Sequence, residues 1–523
     1  AHSINDKGWN VQDAFLYTKF SGASFDGYFL RPTISLSKRL TKWKQMEIGG
    51  AFLLEHNEIK NTKADTLLPT SFSFRDWKAF VRSDASKRNR WSVNWMQRAN
   101  QYPLPDGWVP LDVNNNYNLQ VELFNSMAHQ FRLNAGYRNL TVKTKGITNL
   151  QSDNTLLGRG EYFLNLAKGA ITGNLLYETG AGQEQQRNFS YVEVPAGRGE
   201  YTWIDYNADG IQQLNEFEVA QFSDQAKFIR IFTPTNVFVK VVYNTFNYSV
   251  MLSPANIWRR DSSQVKRFLA KLNVQSSFQT SSKVISDGSL YLNPFAGVIN
   301  DTTLISHLSN LANTLSYNRF STKWGFDVTQ VRNQVKALQT YGFESRIIKD
   351  FSLRLRKNSG RYFTWLLTAK TGSQQLITPN QKFDNRNFDI SINSLSPSLT
   401  FTKGANLRIQ GTYKWDKRKG LAIGKEQQSI SHSLVLESKY NLVQKGLLTG
   451  RFTYANIDFD GVPNSTLSFN MLDGLQPGTN LLWTIDFTRR LANALDLSFQ
   501  YEGRKPGDTR IIHVGRASLR AIL

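Results

Sequence analysis

The chain has 523 residues, with 63 Lys plus Arg against 41 Asp plus Glu, for a formal net charge of +22 at pH 7. It contains no cysteine, which excludes disulfides, thiolate metal sites and a cysteine nucleophile. No run of 18 or more apolar residues occurs, so a transmembrane helix is excluded while a membrane crossing built from strands is not.

Aromatic residues make up 13% of the chain, yet the mean hydropathy is only −0.41. Apolar residues are therefore spread along alternating segments instead of being gathered into continuous runs. The first ten residues, "AHSINDKGWN", have neither an initiating Met nor a basic and apolar leader pattern. The expectation is a chain whose signal peptide has been removed, or a part of a longer protein.

In chain order, the first clear strand places Phe131, Leu133, Ala135 and Tyr137 on one face, with Arg132, Asn134, Gly136 and Arg138 on the other. The stretch "YTWIDYNADGIQQLNEFE" (201–218) interrupts this pattern, and an inserted loop is expected over 182–235. Residues 345–363 read as two short connections in succession. Alternation then resumes with Leu407, Ile409, Gly411, Tyr413 and Trp415 opposite Arg408, Gln410, Thr412, Lys414 and Asp416. It continues with Leu434, Leu436 and Tyr440, then Leu481, Trp483, Ile485 and Phe487, then Leu495, Leu497, Phe499 and Tyr501. In the last strand Ala517, Leu519, Ala521 and Leu523 share a face, with Arg516, Ser518 and Arg520 opposite.

Segments of about ten residues, alternating apolar with polar and often aromatic near their ends, carry the signature of a transmembrane β-barrel. The cause is physical: in lipid every backbone polar group must be paired, so a sheet must close on itself. Short connections at 402–406, 443–447 and 489–494 alternate with longer ones at 416–427 and 460–478. The expected fold is an all-β, transmembrane antiparallel β-barrel of roughly 22 to 24 strands occupying residues 1–523. A soluble sandwich array or propeller shares the period, but no repeat of 40 to 50 residues is present and the apolar face is unusually aromatic.

Within 201–218, Asp205, Asn207, Asp209, Gly210, Ile211 and Glu216 take positions 1, 3, 5, 6, 7 and 12 of a calcium loop. Side-chain oxygens of Asp205, Asn207 and Asp209, the Ile211 carbonyl and a bidentate Glu216 would supply the hard ligands that Ca²⁺ takes. Gln212 stands where such loops carry an apolar residue, and an acidic loop closed by Asx-turns without metal is the alternative. A single site without flanking helices points to a structural ion, not a sensor.

Basic segments at 83–91, 257–267 and 354–361 are scattered and match no nucleic-acid module. Alternating cations such as Arg354 and Arg356 instead suit a polar lumen, and loop cations suit anionic head groups. The six histidines are dispersed without metal spacing, and no nucleophile motif, P-loop or dinucleotide fingerprint occurs. His56, with Glu55 and Glu58 nearby at a strand end, reads as one of a group of polar surface residues and not as a site. The chain is not expected to be an enzyme.

The segments "GRGEYTWIDYNADGIQQLNEFEVAQFSDQAKFIRIFTPTN" (197–236) and 474–523 resemble a family of large, mostly uncharacterised outer-membrane β-barrels of Bacteroidota. The resemblance implies a cell outer-membrane location and a longer parent chain, and it carries no settled activity. Very large barrels in those bacteria include the type IX secretion translocon and TonB-dependent transporters, although neither a TonB box nor a plug domain is evident here. Leu523 departs from the aromatic ending of many outer-membrane proteins. The functional expectation is a conduit, or the membrane-embedded component of a transport or translocation complex. Its lumen would be filled by a plug, a lipoprotein partner or a missing N-terminal segment, with membrane lipids as the other partner and no nucleic acid. A scaffold or biogenesis component and a surface-binding barrel are the alternatives.

Overall fold

Backbone amides and carbonyls in lipid find partners only in neighbouring strands, and the described residues meet this demand with one antiparallel sheet of 25 strands. The structure is a computed structural model and describes residues 2–148, 152–286, 293–295, 303–339, 342–379, 381–422, 425–442, 446–492 and 495–521. The first strands are β1 (His2–Asp6), β2 (Trp9–Ser21), β3 (Phe25–Leu40), β4 (Met46–Asn61), β5 (Phe72–Arg82), β6 (Asn89–Leu104), β7 (Gly107–Leu123), β8 (His129–Val142) and β9 (Asp153–Leu166). β10 (Ile171–Glu193) and β13 (Phe228–Leu252) flank a small hairpin of β11 (Tyr201–Trp203) and β12 (Phe217–Val219). Two short helices, α1 (Ala255–Trp258) and α2 (Gln264–Leu269), precede β14 (Leu272–Ile285), β15 (Leu304–Tyr317), β16 (Trp324–Gln339), β17 (Gly342–Ser359) and β18 (Phe363–Ile377). Then come β19 (Phe388–Lys403), β20 (Leu407–Ala422), β21 (Lys425–Leu442), β22 (Gly446–Asp460), α3 (Thr466–Met471), β23 (Gly478–Ala492), β24 (Leu495–Pro506) and β25 (Ile512–Ala521). Twenty-two of the strands are ten residues or longer.

Each long strand pairs with its sequence neighbours, and β10 pairs directly with β13 over the root of the inserted hairpin. No ladder joins β25 to β1 or β2 among the described residues. Curvature is instead fixed by contacts across the interior. Residues between β10 and β13 touch β24 and β25, and β13 and β24 stand eleven places apart along the row of 22 long strands. Asp224 lies four residues before β13, a reach of roughly 14 Å, whereas eleven strand spacings on a flat sheet span roughly 53 Å, so only a sheet rolled into a barrel brings it to Arg504. The fold is a transmembrane antiparallel β-barrel.

The expected faces hold. Across β20 to β23, Tyr413, Leu434, Tyr454 and Leu481 form one outward row. Gly411, Leu436, Phe452, Trp483 and Gly503 form the next. Leu434 and Leu436 are 55% and 51% exposed, which suits a surface facing acyl chains. Gly503 is required there, because a Cβ at that position would lie 2.1 Å from Cε2 of the Trp483 ring.

Two sequence expectations change. Residues 345–363 contain no turn before Gly360: β17 runs unbroken to Ser359, and Gly360, at φ 65°, turns the chain. The ladder partners of Asp350 and Phe351 keep this segment extended despite its many polar residues. Likewise, 416–427 is not a long loop, because β20 continues to Ala422 and Lys425 pairs back onto it. Its charged residues are lumen-facing or extend above the lipid, where polarity no longer marks a loop. The turns expected at 443–447 and 489–494, and the terminal Leu523, lie partly or wholly outside the described residues.

One end of the barrel carries mostly tight connections such as 41–45, 83–88, 360–362 and 404–406, with 253–271 as its long exception. The opposite end carries the excursions 194–227, 378–387 and 461–477. β10 and β13 remain paired from Ile171↔Leu252 to Glu193↔Phe228, so the excursion proper is 194–227, within the 182–235 expected for the insertion. At ~3.4 Å per residue the 23-residue β10 spans roughly 75 Å, several times the apolar band of ~25 Å, so its upper half stands in water.

Candidate functional site: a folded cap in the barrel mouth

The 194–227 excursion is built on an aromatic base. Phe217 stacks on Tyr191 with ring centroids 4.0 Å apart, and Phe228 meets Phe217 edge-on at 5.1 Å. Both phenylalanines are buried, which anchors the β11–β12 hairpin to the extended β10–β13 ladder. Gly197 takes φ 79°, and the Arg516 guanidinium lies where its Cβ would be, donating to the Gly197 carbonyl at 3.0 Å.

From this base the excursion crosses the mouth and is fastened by charge at several points. Asp224 receives a bidentate pair from Arg504 of β24, with Nε and Nη2 at 3.0 and 2.6 Å. Ser223 bonds to Glu502 on the same strand. On another side Arg386, from the β18–β19 connection, donates to the Asn215 carbonyl at 2.7 Å and to Glu218 at 3.4 Å, and also reaches Glu344 of β17 at 3.2 Å. The side chains of Arg386 and Glu218 are only 5% and 4% exposed. Burial pushes the Glu218 carboxyl above its usual range even though Arg386 pulls it down, and Tyr206, whose hydroxyl reaches Glu218 at 3.4 Å, is likewise raised by burial.

A second element folds into the mouth beside it. Leu467 and Met471 of α3 pack against Leu376, Phe388 and Ile390, which lie on the lumenal faces of β18 and β19. α3 rides over Gly420, where a Cβ would meet Leu467 Cδ1 at 2.6 Å and Met471 Sδ at 2.7 Å. Arg418, next along that face, clamps Asp473 through two bonds of 2.8 and 2.6 Å. Ser465 caps the helix reciprocally with Ser468, and Asn464 Nδ2 donates to the Asp205 carbonyl at 3.0 Å, tying the two elements together.

The residues expected to bind calcium lie at the tip and floor of this cap. Asp205 accepts from the Asp209 and Gly210 amides at 3.2 and 2.8 Å, and Asp209 accepts from the Ile211 amide at 2.7 Å and from Gln213 Nε2 at 2.6 Å. Asn207 accepts from the Asp209 amide at 3.1 Å, and Gly210 takes φ 75°. The structure thus gathers Asp205, Asn207 and Asp209 into one exposed turn, with the Ile211 side chain exposed. Glu216 is set apart: it is buried and accepts from Trp203 Nε1 at 2.8 Å and from the Gln213 amide at 3.3 Å. Among the described residues no group of three or more His, Cys, Asp or Glu side chains is placed to hold a metal.

Below the cap the lumen is lined with charge. On β6 to β10, Arg90, Glu122, Arg132, Glu161, Arg159 and Glu178 form a continuous belt of alternating sign. The register places Arg90 opposite Glu122, Glu122 opposite Arg132, and Arg132 opposite Glu161. The arginines are about half exposed, so they face lumenal water. His56 is largely shielded, its side chain 16% exposed, reaching Glu58 at 3.4 Å and meeting the Trp108 ring at 4.9 Å.

The roles of Arg386, Arg418, Asp224 and Arg504 are not legible from local sequence, because they depend on partners as much as 280 positions away. Their only local signal was the acidity of the insertion against a basic chain.

No family model matches the chain, and no curated protein matches it in sequence. Among solved structures it is similar to the FrpB iron transporter of Neisseria meningitidis, at 10% identity and TM-score 0.32, over 98% of this chain and 82% of that one. It is also similar to the outer membrane transporter YddB of Escherichia coli, at 8% identity and TM-score 0.36, over 94% and 74%. The copper transporter OprC aligns at 9% identity and TM-score 0.33, over 99% and 81%. Similarity at this distance carries no functional argument.

Proposed function

We propose that the chain is an outer-membrane β-barrel acting as a conduit, or as the membrane-embedded component of a transport complex, with its long-loop mouth closed by the 194–227 cap. The observation that carries this reading is the pairing of a charged lumen with a cap fastened by ion pairs to strand β24 on one side and to the β18–β19 connection on another. A barrel serving only as a scaffold has no need of a wide polar interior, and one of more than about 20 strands leaves a lumen to be plugged or gated. Membrane lipids cover the outward face. A protein partner that engages the cap from the long-loop side is part of the reading.

Transport through such a barrel requires no bond to be made or broken by the protein. The outer face holds the barrel in lipid, the inner face solvates a charged or polar solute, and the cap excludes it until the anchors part. For the acidic turn we propose a structural Ca²⁺ ion held by Asp205, Asn207, Asp209 and the Ile211 carbonyl, with Glu216 joining them only by giving up its bond to Trp203. Its support is the set of hard oxygen donors and the left-handed Gly210. Planar-bilayer recording tests the main reading. Wild type is expected to be closed or weakly conducting, and an Arg386→Ala/Arg504→Ala variant to show large steps. Absence of steps from both folded proteins overturns the conduit.

A further inference from the structure

The lumenal face near the short-turn end holds a feature unrelated to the cap. Among β14, β15, β16 and β17, above the turn 318–323, lies a cavity of about 540 Å³. Its walls include Ser316 and Ser352, three guanidinium groups (Arg319, Arg354 and Arg356) and one carboxylate, Asp327. Strand alternation assigns it to the lumen: Phe351 and Leu355, which bracket this part of β17, are exposed on the opposite face.

The three arginines are not equivalent. Arg356 is oriented by donating Nη2 to the Arg319 and Ser321 carbonyls at 3.2 and 3.0 Å, and its Nε is a buried donor with no acceptor. Arg319 is held by Asn273, at 3.1 Å from Nη1 to Oδ1. Arg354 lies opposite Asp327 and Thr368 in the ladders, yet its side chain makes no ion pair or hydrogen bond among the described residues. The arginines of the belt on β6 to β10, by contrast, are each paired with a carboxylate. Here three cations meet one anion, beside hydroxyl donors and a guanidinium N–H that lacks an acceptor.

We propose that this cavity binds a small solute through a phosphoryl group or an equivalent tetrahedral oxyanion, with Arg354 as the principal contact. A guanidinium offers a planar fork that matches such an oxyanion through two parallel N–H bonds, and hydroxyls complete the shell. The volume falls in the range that holds a whole small molecule, so an esterified phosphate fits as well as the free ion. The site rests on the conduit reading only for the route by which the anion arrives. Conductance tests that route, and binding to detergent-solubilised protein tests the site alone.

The experiment is calorimetric titration of folded protein in detergent with inorganic phosphate and, separately, with glycerol 3-phosphate, at matched pH and ionic strength in chloride. Saturable binding of at least one probe is expected. It should weaken at least tenfold in Arg354→Ala, partly recover in Arg354→Lys, and remain unchanged in Arg451→Ala, a lumenal arginine of β22. Tighter binding of glycerol 3-phosphate assigns an esterified ligand, whereas equal binding assigns the free anion. Heat-modifiable migration verifies folding, and the lysine variant serves if the alanine variant does not fold. No saturable binding of either probe to wild type, or equal weakening by Arg451→Ala, overturns the proposal.

Discussion

Replacing Arg386 by alanine should release the cap. The side chain sits almost wholly out of solvent between Glu218 and Glu344 and also holds the Asn215 carbonyl. Removing one partner from a buried charge pair costs about 3–5 kcal/mol. At ~1.4 kcal/mol per tenfold, the equilibrium for local opening of 201–219 should rise by roughly two to three and a half orders of magnitude. Because the aromatic base is untouched, the barrel itself should remain folded. Amide hydrogen exchange of 201–219, compared with that of β20 to β23, reads the effect directly: fast exchange confined to the cap is expected. The loss should also depend on pH. Glu218 has its folded-state carboxyl raised, so its protonated form is favoured in the closed cap. Closure is therefore most stable below the ordinary carboxylate range and weakens as pH rises through the raised value. In Arg386→Ala the defect should accordingly be smaller at pH 5 than at pH 8, and adding Glu218→Gln should restore part of the protection at pH 8. Unchanged exchange in Arg386→Ala, or a defect that Glu218→Gln deepens, would refute this account of the anchor.

Leu436→Arg, on the outward row, should cost about 2–4 kcal/mol if it sits near the bilayer midplane, whereas Val435→Arg, facing the lumen one residue away, should be tolerated. Urea-dependent folding into lipid vesicles distinguishes them. Gly503→Leu drives a side chain into the Trp483 ring and should destabilise by about 1–3 kcal/mol, seen as a smaller heat-modifiable fraction on gels. For the acidic turn, Ca²⁺ should protect residues 201–218 of wild type from proteolysis, and Asp205→Ala or Asp209→Ala should abolish that protection. Equal cleavage of wild type with and without Ca²⁺ removes the ion from the account.

The wall was legible in the sequence because lipid on one side and water on the other impose a period of two, as at Leu434, Leu436 and Tyr440. It became illegible where that contrast ends. β17 contains many polar residues, and above the lipid the ends of β20 and β21 face water, so 345–363 and 416–427 look like connections while they remain in the ladder. The cap was legible only as a difference in composition. The spacing of 205–216 points to Glu216, but that carboxylate accepts from Trp203 and the anchoring role falls to Glu218, two residues on. No local pattern foretells that Asp224 will meet Arg504, because the pairing exists only once the sheet has closed.

Since the chain lacks cysteine, the central claim can be tested with Asp224→Cys/Arg504→Cys, which exchanges the cross-lumen ion pair for two thiols. Single-channel current is recorded before and after a short bismaleimide joins them, with gel mobility reporting the cross-link. Measurable conductance is expected in the unlinked variant, with its loss on linking. Identical currents before and after verified linking, or failure of the two thiols to link in folded protein, would contradict a cap that bridges the barrel and gates its lumen.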